Sequence, residues 1–336
     1  MNPRYIFSSL TRIVPSQDRD FEVAPLPRGE WDLGDYVAAE VVESRGPLGS
    51  VELPTGRHAR VYEGDLLVGA WGRRAATLEV TGSWEEIGDD GALQALTRAG
   101  LFGRATSQSL ELPPLMQLRY SGHLRIGGKV GRMEDFALAP SSAPLEAPVV
   151  LLIGTSMSAG KTTAARVIIR LLKETGRRVV GVKLTGAGRY RDILSMADAG
   201  ADEIFDFVDG GLPSTVCSTA RFEKAQEIVL GRVAAAEPDV VVLEAGASPL
   251  EPYNGEAALE RLAGLVRCTV LCAADPYASL GVIRAFPIPT DLIAGLATST
   301  AAGIRLVGRL TGISAVNVLD RITEARLLAF LEEKLT

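Results

Sequence analysis

The stretch Val149-Val150-Leu151-Leu152-Ile153-Gly154-Thr155-Ser156-Met157-Ser158-Ala159-Gly160-Lys161-Thr162-Thr163 constrains this chain more than any other. An apolar run of strand type empties into a loop of small residues. Gly-Lys-Thr-Thr follows, then Ala164, Val167, Ile168, Leu171 and Leu172 at helical spacing. Strand, small-residue loop and helix in that order make a phosphate-binding loop. Backbone N–H groups converge on phosphate oxygens at a helix N-terminus, where the dipole favours anions. The expected nucleotide contacts are Gly154, Thr155, Ser156, Ser158, Ala159, Gly160, Lys161, Thr162 and Thr163. Lys161 is placed to reach the terminal phosphates, and the Thr162 hydroxyl to take one position on Mg2+. The spacing departs from the usual G-x-x-x-x-G-K-[ST]: Thr155 stands where the first glycine is expected.

From Val149 onward the pattern alternates strand and helix. Strands are expected at Val149–Ile153, Val179–Lys183, Val240–Glu244, Thr269–Ala273, Ile304–Leu310 and Ala315–Val318, and helices at Thr162–Thr175, Thr219–Ala236, Gly255–Leu265 and Ile288–Ala301. Apolar strands interleaved with helices predict an α/β fold, a mostly parallel sheet covered by helices on both faces. Ligands collect at the carboxyl ends of such strands. The second strand ends in Lys183 and runs on to Thr185 and Gly186; a lysine there counters developing charge on a transferred phosphoryl group or holds a substrate carboxylate. The third ends in Glu244 followed by Ala245-Gly246-Ala247-Ser248, the place from which an acid holds Mg2+ or its water shell. Asp192, after Gly188-Arg189-Tyr190-Arg191, is a further candidate for Mg2+, in competition with Asp206 and Asp209. Thr185, Gly186, Arg189 and Asp206 are expected to meet the substrate.

Residues 1–138 read differently, as a smaller β-rich domain. Short β-type runs recur at Tyr36–Val42, Ala59–Tyr62, Asp65–Trp71, Ala76–Val80 and Met116–Ile126, with turn signals such as Arg45-Gly46-Pro47 and Glu63-Gly64-Asp65 between them. That spacing predicts a small barrel or sandwich, with one helix over Asp90–Ala99. His58 and His123 are the only histidines, neither with a ligand-spaced partner, and are read as structural. Arg57, Arg60, Arg73 and Arg74 are read as a solvated edge, and Arg104, in a Gly/Ser/Thr-rich setting, as a substrate contact. The Pro/Ser/Ala stretch 139–148 cannot sustain a helix or a central strand and separates this domain from a nucleotide-binding domain over 149–336.

A net charge of -6 argues against general binding to nucleic acid or to an anionic membrane surface. The N-terminus has no basic segment followed by an apolar stretch, and no apolar run reaches membrane-spanning length, so a cytoplasmic location is expected. Cys217, Cys268 and Cys272 give no disulfide framework; the last two lie in an apolar run and are expected to pack.

The loop Gly154 to Thr162 resembles that of the dethiobiotin synthetase family, which has the same gap between its glycines. Lys183 with Thr185-Gly186 is similar to that family's Lys-Pro-Val segment, and Glu244-Ala245-Gly246 to its Glu-Gly-Ala-Gly. The chain also resembles the P-loop family that includes a D-glutamate N-acetyltransferase. That likeness lies in the loop, in Asp206-Phe207-Val208, in Glu244 to Pro249 and in a closing Val316-Asn317. Both resemblances cover about residues 149–320. The first implies ATP and Mg2+ as cofactors, carboxylate activation by phosphorylation and a homodimer, and by analogy Asn317 would contact the nucleotide base. Ser156 stands where both families carry an acid, and Leu184 where they carry proline, so substrate handling is expected to differ. Without an Asn-Lys-x-Asp guanine signature, ATP is expected over GTP. The expectation is an ATP·Mg-dependent kinase or ligase acting on a small carboxylate- or amine-bearing metabolite. Lys161, Lys183 and Glu244 are its catalytic groups, and Thr162, Glu244 and Asp192 its metal ligands. Two other readings stay open: CoA-dependent N-acyl transfer with the loop gripping a CoA phosphate, and a non-catalytic nucleotide-sensing module.

Overall fold

The computed structural model describes residues 4–15, 20–44, 46, 49–286 and 288–336. Arg45 and Pro47 of the expected turn at Arg45-Gly46-Pro47 lie outside the described residues. The chain divides into two compact units. One comprises Met1–Ala139, Ala187–Arg191 and Phe207–Ile228; the other Pro140–Gly186, Asp192–Asp206 and Val229–Thr336.

The first unit is built on a mainly antiparallel sheet that closes on itself. Leu66–Trp71 pairs with Tyr36–Glu43, which pairs with Gln117–Ile126, then Ala92–Ala95, then Leu101–Gln108, which returns to Leu66–Trp71. These five strands form a small barrel, the first of the two forms expected. Its interior takes alternate residues of each strand: Val37, Ala39, Val41, Leu67, Trp71, Leu93, Phe102 and Leu118 are all buried in one core. The helix expected at Asp90–Ala99 is not formed. Ala, Leu and Gln favour helix, but Ala92–Ala95 is laddered to a strand on each side, and that pairing outweighs the local preference. The run expected at Ala76–Val80 is instead the turn between Arg73–Ala75 and Val80–Ser83, closed by Ala76 N–H donating to Val80 O at 3.1 Å.

The second unit is a six-stranded, all-parallel sheet flanked by helices. Its order is Glu203–Asp206, Val179–Thr185, Val240–Ala245, Val149–Gly154, Val266–Cys272, Leu292–Ala294. The strand feeding the phosphate loop is therefore central, between the strand ending near Glu244 and the one ending at Cys272. The Lys161–Glu174 and Glu324–Leu335 helices contribute Ile168, Leu172, Leu327 and Leu331 to one core with the sheet. Cys268 and Cys272 are buried there as expected, and burial pushes both thiols up to about 12.

Two sequence assignments near the C-terminus are corrected. Ile304–Leu310 is not a strand but part of the Ala301–Thr311 helix, capped by the Thr300 side chain accepting from Gly303 N and ended by Gly312 at φ 72°. The expected helix Ile288–Ala301 holds instead the short strand Leu292–Ala294 and a 3-10 turn. Of Ala315–Val318 only Ala315 pairs, in a single bridge to Ile293. Among the described residues, no helix is long and apolar enough to cross a membrane.

Candidate nucleotide-binding site

Val149–Gly154 is buried at every position and delivers its C-terminal end to the loop. Gly154 is required there by Lys161. A Cβ on Gly154 would lie 2.7 Å from Lys161 Nζ and 3.0 Å from its Cδ, so the lysine stem folds back across the glycine. Thr155, standing where a glycine is usual, is tied twice to the neighbouring strand end. Its N–H donates to Cys272 O at 3.0 Å, and its hydroxyl accepts from Ala274 N at 3.0 Å. Gly160 turns the chain at φ 102°, and the helix begins with Ala164 N–H donating to Gly160 O. Ser156 and Ser158 lie on the loop, Ala159 is buried beneath it, and Thr163 sits in the first helical turn.

Lys161 is 2% exposed, and its ammonium donates to Ser156 O within its own loop at 2.7 Å. Burial holds it below the ordinary lysine value, against the pull of Glu244. Thr162 Oγ1 donates to Glu244 Oε2 at 2.9 Å, joining the loop hydroxyl to the acid of the adjacent strand. Burial raises the Glu244 carboxyl, with Lys183 and Lys161 opposing.

Parallel register places the second lysine. Lys183 lies opposite Glu244 on one side and opposite Asp206 on the other, so all three side chains share a face of the sheet. Asp192, on the Tyr190–Asp198 helix, completes the group, with Lys183 Nζ at 2.5 Å from its Oδ2. Burial opposes the charge on Lys183, but Asp192, Glu244 and Asp206 outweigh it and raise the lysine above its ordinary value. Three carboxylates thus face two buried ammonium groups, a balance that accommodates a divalent cation. Among the described residues no group of three or more His, Cys, Asp or Glu forms a ready-made metal cage. A Mg2+ ion held here takes only part of its shell from the protein, the usual arrangement when phosphate oxygens and water supply the rest.

The other expected site residues divide. Thr185 is fully buried and its hydroxyl donates to Gly246 O at 3.1 Å, so it locks the ends of two strands together. Gly186 turns at φ 128° beside the Lys183 stem. Asn317 accepts from Leu319 N at 3.1 Å and closes a turn. Arg104 and Arg189 belong to the first compact unit, where Arg104 faces Asp90 across 3.3 Å at an exposed edge. Asp209 is also there, paired with Arg12 at 2.9 Å. One residue sequence reasoning missed is Gly295. It turns at φ 90° under the loop, and a Cβ on it would lie 2.3 Å from Ala159 O. Its signal was a glycine directly after the short apolar run Leu292–Ala294.

No protein-family model matches this chain, and no curated protein matches it. Solved structures do. A DUF1611 family protein from Anabaena variabilis is 18% identical over 56% of this chain and 58% of its own, with a TM-score of 0.40. The chain therefore spans little more than half of that relative's length. The signal recognition particle receptor FtsY from Elizabethkingia anophelis is 14% identical over 58% of this chain and 68% of its own, TM-score 0.36. FlhF in complex with GMPPNP and Mg2+ is 17% identical over 53% and 69%, TM-score 0.33. In this chain's own geometry, a buried central strand, a Gly-Lys-Thr loop and a helix opening at Lys161 in a parallel sheet define a P-loop α/β fold.

Proposed function

We propose that this chain is an enzyme that binds ATP with Mg2+ at the P-loop and uses it to phosphorylate or ligate a small carboxylate- or amine-bearing metabolite. The observation that carries this is the Thr162–Glu244 hydrogen bond at 2.9 Å beside two buried lysines. It brings a loop hydroxyl and a strand-end acid together where a Mg2+ ion needs both. The Mg·nucleotide, when bound, supplies a transferable phosphoryl group and a cation that draws charge from it. Lys161 would exchange Ser156 O for a phosphate oxygen, an exchange favoured by replacing a neutral acceptor with an anionic one. Thr162 and Glu244 would hold the metal. Lys183, restrained by Asp192, would meet charge developing on the transferred group. As part of the same proposal the chain works as a homodimer in the cytoplasm on a small molecule, and sedimentation velocity tests the dimer.

The test of the nucleotide site is ligand-induced thermal stabilisation with ATP·Mg2+, ADP, GTP and acetyl-CoA, on the wild type and on Lys161→Met. A ligand at a hundred times its Kd stabilises by about 2.7 kcal/mol. The expected outcome is a shift with ATP that needs both Mg2+ and Lys161. A shift with acetyl-CoA alone would move the assignment to acyl transfer, and no shift with any of them would remove it.

A further inference from the structure

Within the first compact unit a second polar centre stands on Glu52, a residue 1% exposed in the Ser50–Glu52 strand. Its carboxylate is spent on neutral donors: Ser9 Oγ at 2.5 Å, Tyr190 N at 2.8 Å and Arg191 N at 2.9 Å. Its own N–H donates to Arg98 O at 2.8 Å. Across the hairpin, Glu52 lies directly opposite His58. Glu52 therefore holds the backbone of Arg191 with its carboxylate and that of Arg98 with its own N–H, and it faces His58 across the hairpin, with Arg189 two residues before Arg191.

The side chains brought together this way are overwhelmingly basic. Burial holds the Arg98 guanidinium below the ordinary arginine value, and the nearby charges of Arg189 and Arg191 depress it further. Burial also lowers His58; Glu52 opposes this, and Arg98, Arg191 and Arg189 reinforce it. Both His58 ring nitrogens are shielded from solvent without a hydrogen-bond partner among the described residues. A neutral imidazole carries one N–H donor and one acceptor, and leaving both buried and unused is unfavourable. Like charges gathered around an unsatisfied donor are the composition of an anion receptor.

We propose that His58, Arg98, Arg189 and Arg191 form a binding site for a small oxyanion, the carboxylate or phosphate group of a metabolite. The guanidinium groups surround the anion and His58 donates a hydrogen bond to it. This site stands on residues of the first unit and does not depend on the nucleotide assignment. Attraction between guanidinium groups and an anion is screened by salt, so binding weakens as ionic strength rises.

The chain has only two histidines, which makes the test direct. Full-length protein carrying labelled histidine is titrated by NMR with inorganic phosphate and, separately, with succinate. The His58 ring signals are expected to move saturably with at least one anion. The His123 signals, from a ring bonded to Tyr120 at 2.5 Å and facing Asp35, are expected to stay fixed. Movement with phosphate alone assigns the site to phosphoryl groups, and with succinate alone to carboxylates. Arg98→Gln is expected to weaken binding about ten-fold, the loss of one charge-assisted contact. Arg191→Gln, at an exposed side chain, serves the same purpose should Arg98→Gln disturb the His123 signals. The same titration on Lys161→Met should be unchanged, which separates this site from the P-loop. A His58 signal that ignores both anions would overturn the proposal. So would a binding curve unaltered by the arginine substitutions while the His123 signals stay in place.

Discussion

Lys161 and Lys183 are both buried in the same unit, yet their charges act on stability with opposite signs. Lys161 has lost its hydration, and its neighbours do not restore the balance, so its folded value lies below 10.5. Between that value and 10.5 the unfolded chain binds more protons, so this group's contribution becomes more favourable as pH rises through that window. At neutral pH its charge opposes folding. Lys161→Met is expected to leave the stability of the fold unchanged or to raise it, because it removes a charge whose burial opposes folding. The same change should abolish ATP-induced stabilisation. Lys183 is the reverse case. Its folded value lies above 10.5, so its contribution is fully present below 10.5 and is lost as pH rises through the folded value. Lys183→Met strands Asp192, Glu244 and Asp206, and a loss of about 3–5 kcal/mol is expected. Urea titrations from pH 8 to 11.5 check both signs: the deficit of Lys183→Met should shrink above pH 10.5. Two destabilised variants would mean that the charge balance described here is wrong. Lys161, Thr162, Lys183 and Glu244 were legible in the sequence because each lies at or just beyond the end of a strand that reads plainly. Their grouping was not, since it depends on parallel register and on the Tyr190–Asp198 helix, which is not among the helices the sequence pattern predicts.

At the scale of elements, the strand–loop–helix unit was legible because its periodicities change cleanly, from a continuous apolar run to a 3.6-residue pattern. Ile304–Leu310 failed because Ile-Arg-Leu-Val-Gly-Arg-Leu fits both periods. The deciding signals were the Thr300 cap and Gly312, which frame the helix rather than lie in it. The Pro276–Ala285 helix, capped by Asp275 with proline at its first position, carried the same kind of frame and was likewise missed. Mistaking 288–301 for a helix hid the edge strand and with it Gly295. Two glycines of the site now give contrasting predictions. A Cβ on Gly154 meets only the Lys161 side chain, which can shift, so Gly154→Ala should cost less stability than Gly295→Ala. Gly154→Ala displaces the ammonium, however, and should remove most of the ATP shift. A Cβ on Gly295 meets the backbone carbonyl of Ala159 at 2.3 Å from a φ of 90°. Gly295→Ala should therefore lower stability by about 1–3 kcal/mol as well as weaken the nucleotide site. Equal effects of the two substitutions in thermal melts would refute the distinction.

On the scale of the whole molecule, the boundary in sequence and the boundary in space are different things. The Pro/Ser/Ala stretch invites a cut near residue 139, but Ala187–Arg191 and Phe207–Ile228 pack with the first unit. Their ties there are specific. Glu52 accepts from Tyr190 N and Arg191 N, Arg12 pairs with Asp209, Leu138 N–H donates to Asp209 O at 2.8 Å, Ser214 Oγ donates to Arg73 O at 2.6 Å, and Arg221 pairs with Asp32. Phe207, Val208 and Phe222 are each at most 1% exposed in the folded chain. Exposing such side chains forfeits about 1.5–3 kcal/mol apiece, and a domain is stable by only about 5–15 kcal/mol. Residues 1–139 alone would lack these segments, and residues 140–336 alone would carry them without their partners. Neither fragment should therefore give a cooperative melt by itself, and co-expression of the two should restore one, together with ATP-dependent stabilisation. Should 140–336 alone melt cooperatively and bind ATP·Mg2+ as the full chain does, the two inserted segments would be dispensable to the nucleotide fold. The barrel would then be an appendage rather than half of one folding unit.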